Sequence, residues 1–158
     1  MIRTLIFAAV ITGSWHFGTE RDPLGNPVYF AEVVPDSARP DIALKYSCGG
    51  VVGVVLQFNL GNIEYEGNQF STDEPAPEGF RFQFPEGPYD TLAKRAPITD
   101  GLSTYEIKGS EAAFIAGLMQ DSENVSIKRE SVSFTFPLEG AQAAIAEVTD
   151  ACPFKYKS

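Results

Sequence analysis

The chain is poor in the residues that most chemistry uses: among 158 residues there are one histidine, one tryptophan, two methionines and two cysteines. A single histidine with two cysteines cannot supply the nitrogen and sulfur set of an ordinary structural zinc site, so no metal is expected. A serine triad would have to use His16, yet no Gly-x-Ser-x-Gly elbow occurs anywhere. His16 stands between Trp15 and Phe17, so on a strand it faces away from whichever side those aromatics pack against, toward solvent or an edge. Basic residues are also scarce. Twelve Lys and Arg against 21 Asp and Glu give a net charge of −9 and a pI near 4.5. That balance opposes partners that present phosphates, so nucleic acid is not expected, and it opposes docking on an anionic membrane surface. The densest basic group, Lys155 and Lys157, is too small for a polybasic anchor. The apolar run Leu5 to Ile11 is too short to span a bilayer. Gly49 and Gly50 precede a strand pattern and not a helix, so they form no phosphate cradle, and no cofactor is implied.

What the chain does contain is 44% hydrophobic residues, enough for one compact domain with a sizeable core. Arg3, the apolar run that follows, and the small residues Thr12, Gly13 and Ser14 form the pattern of a short secretory signal over residues 1–14, with Trp15 as the mature start. A buried first strand is the competing reading. Residues 15–158 then form a single β-rich domain. Cys48 closes a strand pattern and Cys152 closes a terminal helix pattern. In an oxidising compartment the two would join in one disulfide around a loop of about a hundred residues, worth roughly 4–5 kcal/mol by chain entropy. The other possibility is two unrelated buried thiols in a cytosolic domain.

From Trp15 onward short alternating runs separated by turn residues predict an antiparallel domain. Strands are expected at Trp15–Glu20, Pro27–Val34, Ile42–Cys48, Val51–Asn59, Asn62–Glu66, Gly79–Phe84, Leu102–Ile107, Val125–Arg129 and Ser131–Pro137. Asp22 to Asn26 and Gly49-Gly50 are turn material. Two segments switch to a helical period. Glu111–Met119 follows Ser110, with Phe114, Ile115 and Leu118 on one face, and Ala141–Cys152 follows Gly140, with a stripe of Ala141, Ala144, Ile145 and Val148. Ser71 to Gly79, rich in proline and acid, reads as a solvated loop.

Carboxylates are plentiful, so a calcium site or a glycosidase-like acid pair comes into view around Glu64, Glu66, Asp73 and Glu74, although the spacing fits no known calcium loop. Asn124-Val125-Ser126 fits the glycosylation acceptor pattern. Aromatics concentrate in the middle third. Phe80, Phe82 and Phe84 alternate with Arg81 and Gln83 as a core-facing strand would, while Tyr65, Phe70 and Tyr89 are the candidates for a partner-binding surface.

The layout of Trp15 followed by Asp22-Pro23, of Leu44-Lys45-Tyr46-Ser47-Cys48, and of Phe134-Thr135-Phe136-Pro137-Leu138-Glu139-Gly140 running into Ala151-Cys152 resembles small periplasmic or secreted bacterial proteins of the invasion-associated locus B type and type VI secretion-associated accessory proteins. The chain departs from them in its very short leader and in lacking a second tryptophan mid-chain. The resemblance implies a β-sandwich with a C-terminal helix tied by a disulfide and no assigned catalytic residue. The expectation is therefore a mainly β protein, an antiparallel β-sandwich or partly open barrel with two short helices. It would act without catalysis as a periplasmic or extracellular accessory protein of the cell envelope or a secretion apparatus, toward a protein or envelope partner. The alternatives are a glycan or cell-wall hydrolase using acidic residues, and a structural subunit of an extracellular or virion assembly.

Overall fold

A computed structural model describes residues 15–35, 38–39, 41–61, 76–96 and 104–152. Within them the chain forms β1 (His16–Arg21), β2 (Pro27–Val33), β3 (Ile42–Gly49), β4 (Gly53–Leu60), β5 (Glu78–Phe84), β6 (Gly87–Arg95), β7 (Thr104–Lys108), α1 (Ser110–Gln120), β8 (Asn124–Arg129), β9 (Val132–Pro137) and α2 (Ala141–Ala151). The nine strands make one antiparallel sheet in the order β1-β2-β3-β4-β7-β6-β5-β8-β9. Two meanders, β1 to β4 and β5 to β7, meet where β4 lies beside β7, and α1 carries the chain back so that the β8–β9 hairpin adds outside β5. The turn happens within β6. Its residues from Gly87 to Ala93 pair with β5, whereas Lys94 and Arg95 pair with Glu106 and Tyr105 of β7.

The sheet is not closed by a ladder, but its two edges approach at one corner through Trp15. The buried indole donates from Nε1 to the Pro137 carbonyl at 2.7 Å, and the Trp15 backbone N–H reaches the Glu139 carbonyl at 3.5 Å. The protein is thus an open, barrel-like sheet with two short helices and the expected disulfide. Cys48 and Cys152 are bonded with Cα atoms 5.5 Å apart, joining the end of β3 to the residue after α2.

One face of each strand from β2 to β9 feeds a continuous core, against which β1 packs only the half-buried Phe17. Leu44, Tyr46 and Cys48 of β3 face Phe58, Leu56 and Val54 of β4, and both helices lie on the half formed by β1 to β4 and β7. The expected stripe of Ala141, Ala144, Ile145 and Val148 is buried in α2, its alanines allowing close approach to β2 and β3. Phe80, Phe82 and Phe84 of β5 point inward as their spacing requires. Phe58 stands where the halves meet, its ring 4.9 Å from Phe80, 5.5 Å from Phe82 and 5.8 Å from Tyr105.

Three expectations need correction. The strand expected from Val51 begins only at Gly53, because Val51 and Val52 form the turn itself and are exposed. In α1 the buried residues are Ala112, Ile115, Ala116 and Met119, so the face is rotated away from Phe114, which is 48% exposed. β6 was not expected at all, since its inward row is Tyr89, Thr91, Ala93 and Arg95 while its Leu92 points out to solvent. The strand expected over Asn62–Glu66 and the leader over residues 1–14 lie outside the described residues.

Candidate functional site

The inward row of β6 starts with the half-buried Tyr89, which packs against the core and meets an exposed aromatic of α1. Gly109, at φ 74°, adopts a backbone conformation that suits glycine, and its N–H reaches the Val54 carbonyl at 2.9 Å. This fixes where α1 departs from β7. The first turns of α1 then lie against β6, where the Tyr89 ring meets Phe114 edge-on with centroids 5.4 Å apart. The Thr91 hydroxyl donates to the Glu111 carboxylate in the first turn of α1. Burial raises the Tyr89 phenol pKa, and the negative charge of Glu111 adds to that shift. The phenol therefore keeps its proton throughout the neutral range. An edge-to-face pair, a phenol donor and a carboxylate acceptor thus sit together on β6 and α1.

Of the other sequence-derived candidates, Tyr65 and Phe70 lie outside the described residues, as do Glu64, Glu66, Asp73 and Glu74. His16 is exposed on β1, and its Nε2 stands 3.8 Å from Glu32 Oε1, facing away from the buried Trp15 as expected. Asn124 is exposed at the start of β8, and the Ser126 hydroxyl shares a 2.7 Å hydrogen bond with Thr135. Among the described residues no group of three or more His, Cys, Asp or Glu could hold a metal ion, and no helix is long and apolar enough to cross a membrane.

Among the described residues, shallow hollows lie on the outer face of the sheet. One, of about 210 Å³, is lined by Glu32, Ala43, Lys45, Gln57, Asn59 and Thr104 over β2, β3, β4 and β7. Its polar groups largely engage one another or their neighbours: Lys45 Nζ donates to Glu20 Oε1 at 2.7 Å, and Gln57 Nε2 to Glu106 Oε2 at 3.0 Å. The second, of about 490 Å³, runs along β5, β6 and β8 and contains the Arg81–Asp90 pair. Arg81 donates to both carboxylate oxygens of Asp90 at 2.7 and 3.0 Å. Those hydrogen bonds, offset in part by desolvation, lower the Asp90 pKa and raise that of Arg81. Sequence reasoning missed both hollows, because each draws on residues from strands distant in the chain.

The structure defines a disulfide-stapled, open antiparallel β domain. No family model matches the chain, and no solved structure matches it. Among curated proteins the glycine–tRNA ligase beta subunit of Desulforapulum autotrophicum is similar, 25% identical over 141 residues covering 86% of this chain and 20% of that subunit. The chain thus spans about a fifth of the length of the curated relative it matches.

Proposed function

We propose that the protein is a non-catalytic binding protein of the bacterial cell envelope or of a secretion apparatus, working in the periplasm or outside the cell, and that the Tyr89–Phe114 pair is its grip on a protein or envelope partner. The pair is the observation that carries this reading. A phenylalanine left 48% exposed on a helix whose neighbouring turn buries Ile115, Ala116 and Met119 is not needed for the core. Partly exposed aromatics backed by a rigid sheet are the residue types that dominate interface energies. The Cys48–Cys152 bond supports an oxidising compartment, and the sequence layout that resembles locus B and secretion-accessory proteins is the reason for placing it at the envelope. The likeness to part of a tRNA ligase subunit does not favour a nucleic-acid partner here, because the net charge of −9 works against phosphate binding.

The test is affinity capture from an envelope extract with the oxidised wild-type protein and with Phe114→Ala and Tyr89→Ala. A specific partner retained by the wild type and lost by both variants at unchanged melting temperature supports the reading. Equal capture by all three refutes the assignment of the surface.

A further inference from the structure

We propose that the two turns at the stapled end of the sheet dock into the interfacial region of a zwitterionic lipid bilayer. The turn between β1 and β2 (Asp22–Asn26) and the turn between β3 and β4 (Gly50–Val52) lie side by side, because Val28 pairs with Gly49 and the Gly50 N–H reaches the Pro27 carbonyl at 3.2 Å. Their apices carry Leu24, Val51 and Val52, which are 73%, 68% and 54% exposed. These are three of the five exposed large apolar side chains among the described residues, gathered at one end.

The backbone beneath them is arranged to leave water. Asp22 Oδ1 accepts the N–H groups of Leu24 at 3.0 Å and Asn26 at 2.8 Å, while Oδ2 accepts the Val51 N–H at 3.2 Å and the Asn26 side-chain amide at 3.2 Å. The Asp22 N–H reaches the Asn26 carbonyl and the Gly25 N–H the Asp22 carbonyl, each at 2.9 Å. Arg21 Nη1 holds the Gly25 carbonyl at 2.6 Å, and Pro23 has no N–H to satisfy. One carboxylate therefore fastens both turns together and accepts donors that would otherwise have to stay hydrated, which lowers the cost of bringing the apex into the bilayer interface. Cys48, bonded to Cys152, lies two residues from Gly50 and makes the base rigid.

The chemistry of the apex selects the occupant. Protein interfaces are anchored by Trp, Tyr and Arg, with Leu and Val under-represented, whereas Leu and Val partition favourably into hydrocarbon. The charge selects the lipid. A chain of net charge −9 is repelled by an anionic leaflet, which leaves a zwitterionic surface as the one the apex can approach.

The experiment is flotation of the oxidised full chain with phosphatidylcholine vesicles and, separately, with phosphatidylglycerol vesicles. Binding to phosphatidylcholine is expected to exceed that to phosphatidylglycerol and to fall at least about tenfold in a Leu24→Ser, Val51→Ser, Val52→Ser variant, which should keep the wild-type melting temperature because these side chains are exposed. In a Leu24→Trp variant, the added tryptophan should shift its emission to the blue on meeting phosphatidylcholine. Equal flotation of wild type and triple variant overturns the proposal, as does stronger binding to phosphatidylglycerol. So does concentration-dependent self-association that the triple variant abolishes in the absence of vesicle binding, which would make the apex a contact between copies of the chain. Phe114→Ala should float as the wild type does, so failure here and failure of the Tyr89–Phe114 assignment are told apart.

Discussion

β3 and β5 belong to one sheet and obey the same alternation, yet β3 is buried at every position except Lys45, whereas β5 is buried only at Phe80, Phe82 and Phe84. The inward rows differ little. The difference lies in the outward rows. Over β3 no second layer of secondary structure is needed, because long side chains roof the small ones: Lys45 lies 4.5 Å from the Phe30 ring centroid and is tied to Glu20, and Phe30 in turn lies across Gly18 and meets His16 edge-on at 5.9 Å. Ala43 and Ser47 are buried as a result. Over β5 the outward Gly79 and Arg81 stay exposed. The helices and the disulfide are concentrated on the β3 half, and the β5 half depends on its aromatic row.

The strongest way to break this contrast is Phe58→Ala, at the seam. Removing a fully buried ring that touches Phe80, Phe82 and Tyr105 should cost about 3–5 kcal/mol, read as a drop in the urea midpoint, with both halves unfolding together. Separate loss of amide-exchange protection in β5, β8 and β9 alone would show that the halves are independent units. Next in size, Cys48→Ala combined with Cys152→Ala should cost about 2–5 kcal/mol, with α2 the first element to lose exchange protection. Gly18→Ala probes the roof. A Cβ there would stand 2.5 Å from Cζ of Phe30, so the ring must swing away from β1, at a cost of about 1–2 kcal/mol by thermal melting.

Smaller effects sharpen the contrast on the exposed side. Arg81→Ala should leave the melting temperature nearly unchanged, since the Arg81–Asp90 pair sits in solvent. The pH dependence follows from the carboxylates. Hydrogen bonds from Arg39 to Asp41 and from Arg81 to Asp90 lower the pKa of each acid below its ordinary value near 3.8. At Asp22 desolvation pushes upward, but the bonds from Asn26, Val51 and Leu24 outweigh it and the net shift is again down. Folding therefore favours the ionised forms, so the stabilisation is present above about pH 4 and is lost as pH falls through the lowered values. Asp22→Asn should flatten that acid limb of the melting curve.

The architecture was legible wherever burial is one-sided. Alternation exposed β5 and β9, and the narrow alanine stripe exposed α2, because in each the apolar residues face one way and nothing else competes. It failed at β6, where Arg95 is 8% exposed beside Tyr105 while Leu92 is 62% exposed, an inversion of the usual polarity that only the neighbouring β7 and α1 explain. It failed again at Val51 and Val52, whose β-branched side chains suggest a strand although the glycines around them make a turn. Tyr89 was legible as a candidate from aromatic density, but its companion Phe114 was assigned to the core face, since a helical period gives a face's width and not its rotation relative to a sheet. The disulfide was legible from two cysteines at element ends; Asp22 as the link between two turns was not, because a hydrogen bond to Val51 across 29 positions leaves no local pattern.

The staple also sets an order of events. Cys48 belongs to the third strand, but its partner follows six further strands and both helices, 104 positions later. While the chain is being synthesised, an oxidant that meets Cys48 early finds a lone thiol. It can leave only a mixed disulfide there, which Cys152 must resolve once α2 has been delivered. The bond is thus a mark of completion: a chain interrupted between Cys48 and Cys152 carries an unpaired thiol, and one in which Cys152 has been delivered does not.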